Sequence, residues 1–495
     1  MIRALMLGLL ASPAVAGPVF EDRSAAIPDH IYAGGWEHFV GGGVAVFDCN
    51  ANDLPDVFAA GGESAAILLR NDGDFRFTPL PLPELTGVTG AYPIDIDGDG
   101  AMDLFVLRVG PNIVLRGDGH CGFTDMTAAW GVPAGDHWTT AFTAWWEDDE
   151  RPVIAIGNYV DRDDPDGPFE ACDPNQILTP AADGYGSTDL TPGFCPLSML
   201  AAQDARGRLT LRLSNDRHYY VRGGHEQMWD IPDGRFLGAD DGWQNVSLWG
   251  MGIASRDLTG DGRDDVMLTS MGDQLLQLAQ EDGTYANAPY SIGTYAQRPH
   301  TGDDGRPSTG WHAEFADVDN DGRADLFIAK GNVDQMPGLA MADPNNLLMQ
   351  QADGTFAEAG LTAGIATTAR SRGAALADFD GDGRLDLIVM NRRAPMEIYR
   401  NVTEGTGNWL ALALEQSGGN RNAIGAVITV TANERTQNQQ NTIGGGHAGG
   451  KALPLHFGLG DAGQATVTVT WPDGTQSTDQ VQANARLTLR HPRDR

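Results

Sequence analysis

Positive charge is scarce in this chain of 495 residues: 33 Lys and Arg stand against 67 Asp and Glu, for a net charge of −34. Such a field repels phosphate backbones and anionic bilayers, so nucleic acid and anionic membrane are excluded as expected partners. Beyond the opening segment no apolar run approaches the roughly 20 residues that span a bilayer, and no membrane span is expected. Cysteine is limited to Cys49, Cys121, Cys172 and Cys195. Four suit an oxidising compartment, and Cys172 with Cys195 brackets a Pro/Gly/Asp-rich segment that a disulfide could staple. G-x-S-x-G, H-E-x-x-H, glycine-rich phosphate loops and paired-Cys metal motifs are all missing. No catalytic residue is therefore assigned.

What is present can bury a sizeable core, since 41% of the residues are hydrophobic. Met1 to Ala16 has a basic Arg3, an apolar Ala4 to Leu10 run and an Ala14-x-Ala16 ending. That is the pattern of a secretory signal peptide cleaved near Ala16, and it predicts a secreted or periplasmic protein.

The chain is organised by one acidic loop that feeds a strand. Asp378-Phe379-Asp380-Gly381-Asp382-Gly383-Arg384-Leu385-Asp386 runs into Leu387-Ile388-Val389-Met390. Side chains at loop positions 1, 3, 5 and 9 can converge on one hard cation, a glycine at position 6 permits the turn, and an oxygen-only ligand set points to calcium. An EF-hand would need a Glu at position 12 and flanking helices; position 12 here is Val389. The predicted metal ligands are Asp378, Asp380, Asp382 and Asp386, with Asp95, Asp97, Asp99 and Asp103, then Asp257, Thr259, Asp261 and Asp265, and Asp317, Asp319, Asp321 and Asp325 in three further copies. A looser copy offers Asp48, Asn50, Asn52 and Asp56. Up to five calcium ions are expected. Asp53 replaces the loop glycine in the first copy and Thr259 a carboxylate in another, so weaker binding is expected at both.

The loop starts at 48, 95, 257, 317 and 378 leave room for two further units between 95 and 257. One is read at Ala144 to Pro152 before Val153-Ile154-Ala155-Ile156, without ligands. Another is read around Gly207 to Val221, with Leu209 to Leu213 and His218 to Val221 as paired strands. Strand and turn signals at this period predict an all-β, seven-bladed β-propeller. From about Gly407 the pattern changes to alternating strands, such as Ala426 to Val430 and Ala465 to Thr470, which predict a small β-sandwich. The expected division is signal peptide 1–16, propeller 17–404 and sandwich 405–495.

The loop with its flanking strands resembles the FG-GAP or VCBS repeat of integrin α-chain propellers. The tail, with Arg421-Asn422-Ala423-Ile424-Gly425-Ala426, His456-Phe457-Gly458-Leu459-Gly460 and Trp471-Pro472-Asp473-Gly474, resembles the ASPIC/UnbV domain. Together they match the architecture of the cartilage acidic protein family, including its bacterial members. The resemblance implies an extracellular, calcium-binding propeller with its metal loops on one face, where calcium is structural, and implies little about activity.

The opposite face should then gather the residues that precede each first strand. Trp138, Trp249, Trp311, His137, His312, Arg370 and Arg372 are the predicted ligand-binding residues there, because aromatics beside His and Arg can stack on a sugar or hold an anion. The competing reading has the tryptophans filling the propeller's funnel. The excursions Gly157 to Pro174 and Gly331 to Pro344 should emerge on the same face. His447, alone in Gly444-Gly445-Gly446-His447-Ala448-Gly449-Gly450, is more often neither ligand nor base in such a setting. The expected function is recognition of a carbohydrate or protein ligand. The alternative is a calcium-dependent polysaccharide lyase or hydrolase, which would need His137, His312 and Arg372 to converge on one pocket.

Overall fold

A computed structural model of the protein describes residues 17–148, 150–216, 222–295, 297–298 and 305–495. The signal peptide and the His218 to Val221 strand fall outside these residues. From Phe20 to Asn401 the chain is a β-propeller of antiparallel four-stranded units, two of which join into one eight-stranded sheet where His137 and Trp138 pair with Gly110 and Val109. Seven innermost strands are present among the described residues: Val44–Phe47, Val88–Ile94, His137–Trp145, Pro196–Gln203, Gly250–Arg256, Gly310–Ala316 and Arg370–Ala377. Each touches the next, and the last touches the first, so the ring closes.

Closure has a covalent order to it. Phe20–Asp22, ahead of all the other strands, pairs antiparallel with Glu397–Asn401 and completes the sheet that ends the ring. The second strands are buried on both faces, as in Asp386–Arg392, and for that reason read in sequence as continuous apolar runs. Leu209–Asn215 is such a strand, but it pairs with Pro196–Gln203 and Gln227–Asp230. Disulfides join Cys49 to Cys121 and Cys172 to Cys195. The first ties the first acidic loop to the neighbouring sheet.

The C-terminal part forms a three-stranded sheet around Asn408–Glu415 and a four-stranded sheet ordered Arg435–Gln440, Val427–Ala432, Gln464–Thr470, Gln476–Gln482. Leu410, Leu412, Ile428, Val430, Phe457 and Val467 fill the core between them.

One segment of this second part leaves it and enters the propeller channel. Ile443 bridges Ala144, Gly444 bridges Leu200, Gly446 bridges Ile253 and Gly449 bridges Ala91. Lys451 pairs with Val46, His447 N–H donates to His312 Nδ1 at 3.2 Å, and Lys451 Nζ donates to Leu376 O at 2.9 Å. All seven innermost strands are therefore held by residues 443–451. The glycines are required by closeness: a Cβ at Gly449 would stand 2.1 Å from Val44 O, and one at Gly90 would stand 1.6 Å from Ala448 O.

Candidate functional site

The acidic loops lie between first and second strands, as the repeat demands. Their position-1 carboxylates turn inward and accept from the loop's own backbone: Asp378 from Asp382 N–H at 3.0 Å and Gly383 N–H at 2.8 Å, and Asp95 from Gly98 N–H at 2.8 Å and Gly100 N–H at 3.0 Å. Positions 4 and 6 both take left-handed backbone. Glycine supplies this at Gly98 and Gly100, Asn320 has φ of 59°, and in the first loop Ala51 and Asp53 are forced to 56° and 66°.

Position 9 does a different job from the one its ligand role suggests. Asp386 is buried and accepts from Phe379 N–H at 2.9 Å and Asn401 N–H at 2.8 Å, stapling the loop to the third strand. Asp56, Asp103, Asp265 and Asp325 make the same two bonds in their own sheets. Burial pushes Asp103 up to about 8, Asp265 to about 7 and Asp56 to about 6. Burial together with its neighbours Asp317 and Asp319 raises Asp325 well above the usual carboxylate range.

Among the described residues, three clusters bring carboxylate oxygens within 4.8 Å of one another: Asp95, Asp97 and Asp99; Asp317, Asp319 and Asp325; Asp378, Asp380 and Asp386. Packed, partly buried like charges of this kind suit a divalent cation, which would relieve both the repulsion and the desolvation. The loop with Thr259 and the loop with Asn50 and Asn52 are not among the three. Guanidinium groups flank the clusters: Arg116 reaches Asp97 at 2.8 Å and Asp99 at 2.5 Å, and Arg400 reaches Asp380 at 2.5 Å. In the ligandless third unit, Asp149 lies outside the described residues.

The loop face is covered by the C-terminal part. Asn438 Nδ2 donates to Asp257 Oδ2 at 2.9 Å, Gly407 N–H to Asp319 O at 2.9 Å and Gly460 N–H to Asn320 O at 2.8 Å. His456 Nε2 lies 2.7 Å from Asn320 Oδ1, and Arg435 donates to Gly322 O at 2.6 Å. Arg486 donates to Asp53 O, Gly419 abuts Gly98, and Trp409 abuts Gly383. Each of the five acidic loops thus carries a contact from the second part.

At the other mouth, the innermost strands change register near their starts, at Gly250/Ile253, Gly310/Ala313 and Ser371/Ala374. These bulges re-aim the side chains between them. Trp311 and Arg372 come together, the guanidinium 3.9 Å from the ring centroid, and Arg372 also donates to Phe39 O, Asn332 O and Val333 O. Trp138 packs among Trp36, Phe39 and Tyr159 at ring distances of 4.9, 5.6 and 4.9 Å. All three predicted residues are buried, covered by the rings and backbone carbonyls that they contact.

The other predicted residues have separate partners. His137 Nδ1 is 2.9 Å from Asp173 Oδ2, and that bond raises its proton affinity. His312 faces the channel segment, with Nε2 3.5 Å from Glu314. Trp249 packs beside Met251 and Met271. Arg370 lies 3.8 Å from Asp334. Among the described residues, His137, His312 and Arg372 share none of these partners and do not converge through them on one pocket.

Both excursions border this mouth, through Tyr159 and Val160 on one side and Val333 and Met336 on the other. Beside the second excursion lies a cavity of about 380 Å³ walled by Trp36, Phe39, Met251, Met271, Trp311 and Met336. Its charged groups, Asp216, Asp334, Arg392 and Arg393, were not among the sequence candidates. Arg392 and Arg393 sit at the end of a second strand, a position that the loop-counting argument does not visit.

Comparison with known proteins finds FG-GAP-like repeats at residues 48–106, 257–328 and 332–389, and ASPIC and UnbV at residues 416–495. Human cartilage acidic protein 1 is 27% identical over 185 residues, which are 36% of this chain and 28% of that protein. The Xenopus tropicalis protein of the same name is 29% identical over 131 residues, 25% of this chain and 20% of that one. The matches thus span under a third of these relatives. Among solved structures, BBS1N in complex with ARL6DN has a TM-score of 0.47 at 8% identity, covering 79% of this chain and 99% of that one. An Agrocybe aegerita lectin that recognises non-reducing terminal N-acetylglucosamine has a TM-score of 0.42 at 17% identity, covering 73% of this chain and 94% of that one.

Proposed function

The chain belongs with the proteins that join FG-GAP-like repeats to an ASPIC and UnbV domain, and from that premise we propose that it is an exported recognition module whose propeller is held by calcium. The observation that carries this reading is the division of labour between the two faces. One face bears the acidic loops and is covered by the C-terminal part; the other has an open cavity of about 380 Å³ lined by Val333, Asp334 and Met336 of the second excursion together with Trp36 and Phe39.

Calcium, where bound, supplies charge neutralisation and oxygen coordination that fix each loop. The residues that would hold it best are Asp95, Asp97 and Asp99, then Asp317, Asp319 and Asp325, then Asp378, Asp380 and Asp386, because their oxygens already converge. Asp48, Asn50, Asn52 and Asp56, and Asp257, Thr259, Asp261 and Asp265, are the weaker sites in this reading. Hard oxygen donors on a flexible loop favour calcium over the smaller, rigidly octahedral magnesium. Recognition is assigned to the far mouth, where ligands would meet Trp36, Trp311 and the second excursion while Trp138 and Arg372 serve as supporting structure.

Titrating metal-stripped protein calorimetrically with calcium tests the metal half. Uptake of at least three ions per chain is expected, with magnesium much weaker; no saturable uptake would refute it.

A further inference from the structure

We propose that the cavity at the open mouth takes a small organic carboxylate, its apolar body among the thioethers and indoles and its carboxylate on Arg393. The proposal rests on the recognition reading above and gives it a ligand class. The walls argue first. Phe39, Met251, Met271 and Met336 offer no hydrogen bonds to a sugar's hydroxyl groups, and burying hydroxyls without partners is costly, whereas an alkyl or aryl body gains by leaving water. The volume of about 380 Å³ suits a small molecule rather than a chain segment.

The charges then fix the head group. Asp334 is the shared carboxylate for Arg393 at 2.9 Å, Arg392 at 3.2 Å and Arg370 at 3.8 Å. Three guanidinium groups with one acid between them form a local excess of positive charge in a chain whose net charge is −34. Arg392 is buried, and its remaining donors go to His38 O, Gly34 O and Gly35 O. Arg393 is different: its side chain is 42% exposed, it lines the cavity, and its second bond is a long one of 3.4 Å to Gly34 O. It is the guanidinium free to turn toward an incoming anion, in the bidentate geometry that carboxylates prefer.

Orientation follows from the other carboxylate of the lining. Asp216 lines the cavity, with Oδ2 accepting the Tyr159 hydroxyl at 2.5 Å. A carboxylate beside Asp216 would be repelled, so the head lies at Arg393 and the tail runs toward Met251 and Met271.

The test uses the full chain in calcium-containing buffer at low salt, titrated with octanoate, its uncharged isostere octanamide, octylammonium and methyl β-glucoside. Octanoate is expected to bind roughly tenfold or more tighter than octanamide, with octylammonium weakest. Arg393→Gln should erase that preference and leave octanamide unchanged. Met336→Trp, at a half-buried loop position, should weaken both by filling the cavity. If octanamide or the glucoside binds as well as octanoate and is lost in Met336→Trp, the carboxylate inference is overturned while the recognition site stands. If no probe binds, or neither variant alters binding, both are overturned.

Discussion

His447 Nδ1 donates to Met251 O across 3.1 Å while its Nε2 accepts from Gly41 N–H at 3.2 Å. One imidazole from the C-terminal part thereby joins two propeller segments inside the channel. Its ring also packs 5.0 Å from Trp311, and two of its neighbours, Met251 and Trp311, are walls of the open-mouth cavity. The bonding pattern needs a neutral imidazole, since a proton on Nε2 would face the Gly41 N–H.

A pH dependence follows. Burial holds His447 down to about 3, against about 6.5 for the unfolded residue. The unfolded chain therefore takes up a proton that the folded chain refuses, and the stability from this residue is complete above pH 6.5 and lost progressively as pH falls toward 3. Moving from pH 7 to pH 5 should cost about 2 kcal/mol through this group. Denaturant unfolding at both values checks it: the loss should shrink by about that amount in His447→Gln.

The channel segment should tolerate no added atom where it touches backbone. Gly449→Ala places a methyl group against Val44 O and is expected to cost about 1–3 kcal/mol. Gly463→Ala, where a Cβ meets nothing within 4 Å, is the control. Limited proteolysis should cut residues 441–454 in the first variant well before wild type or control.

Positions 3 and 9 of an acidic loop should behave oppositely. Asp386→Ala leaves Phe379 and Asn401 N–H groups unpaired and should cost about 2–4 kcal/mol with or without calcium. Asp380→Ala should be close to neutral in chelator, because it removes a carboxylate held against Asp382, and should lose one calcium from the binding stoichiometry.

Asp53→Gly should stabilise. The residue occupies left-handed backbone at φ of 66°, and its side chain is 82% exposed and only 3.4 Å from Arg486. Relief of about 0.5–1 kcal/mol is expected, read as a small rise in melting temperature.

Much of the architecture was legible because the acidic loop is a local signal. Its ligands, its turn and the buried strand after it are contiguous, so Asp378 to Met390 declares its own conformation. The double duty of Asp386 was not legible, since its second partner, Asn401 N–H, lies on another strand. Asn401, which reads as a glycosylation sequon with Val402 and Thr403, is buried and donates to Val318 O and Leu385 O for the same long-range reason. The placement of the glycine run around His447 inside the channel was not legible, because its partners, Val44, Tyr92, Ile253 and His312, come from four separate sheets. The mouth residues were found by counting along the chain, but their burial depended on bulges that counting cannot see. Phe20–Asp22 carries no periodic signal at three residues, and only ring closure gives it a partner.

The central claim, that divalent ions in the acidic loops hold the propeller and the domain docked on it, is tested most directly by thermal unfolding of the full chain in calcium against excess chelator. Calcium is predicted to raise the melting temperature by about 5 °C or more, with Asp319→Asn plus Asp380→Asn removing most of the gain. Identical melting temperatures in calcium and chelator would contradict the account.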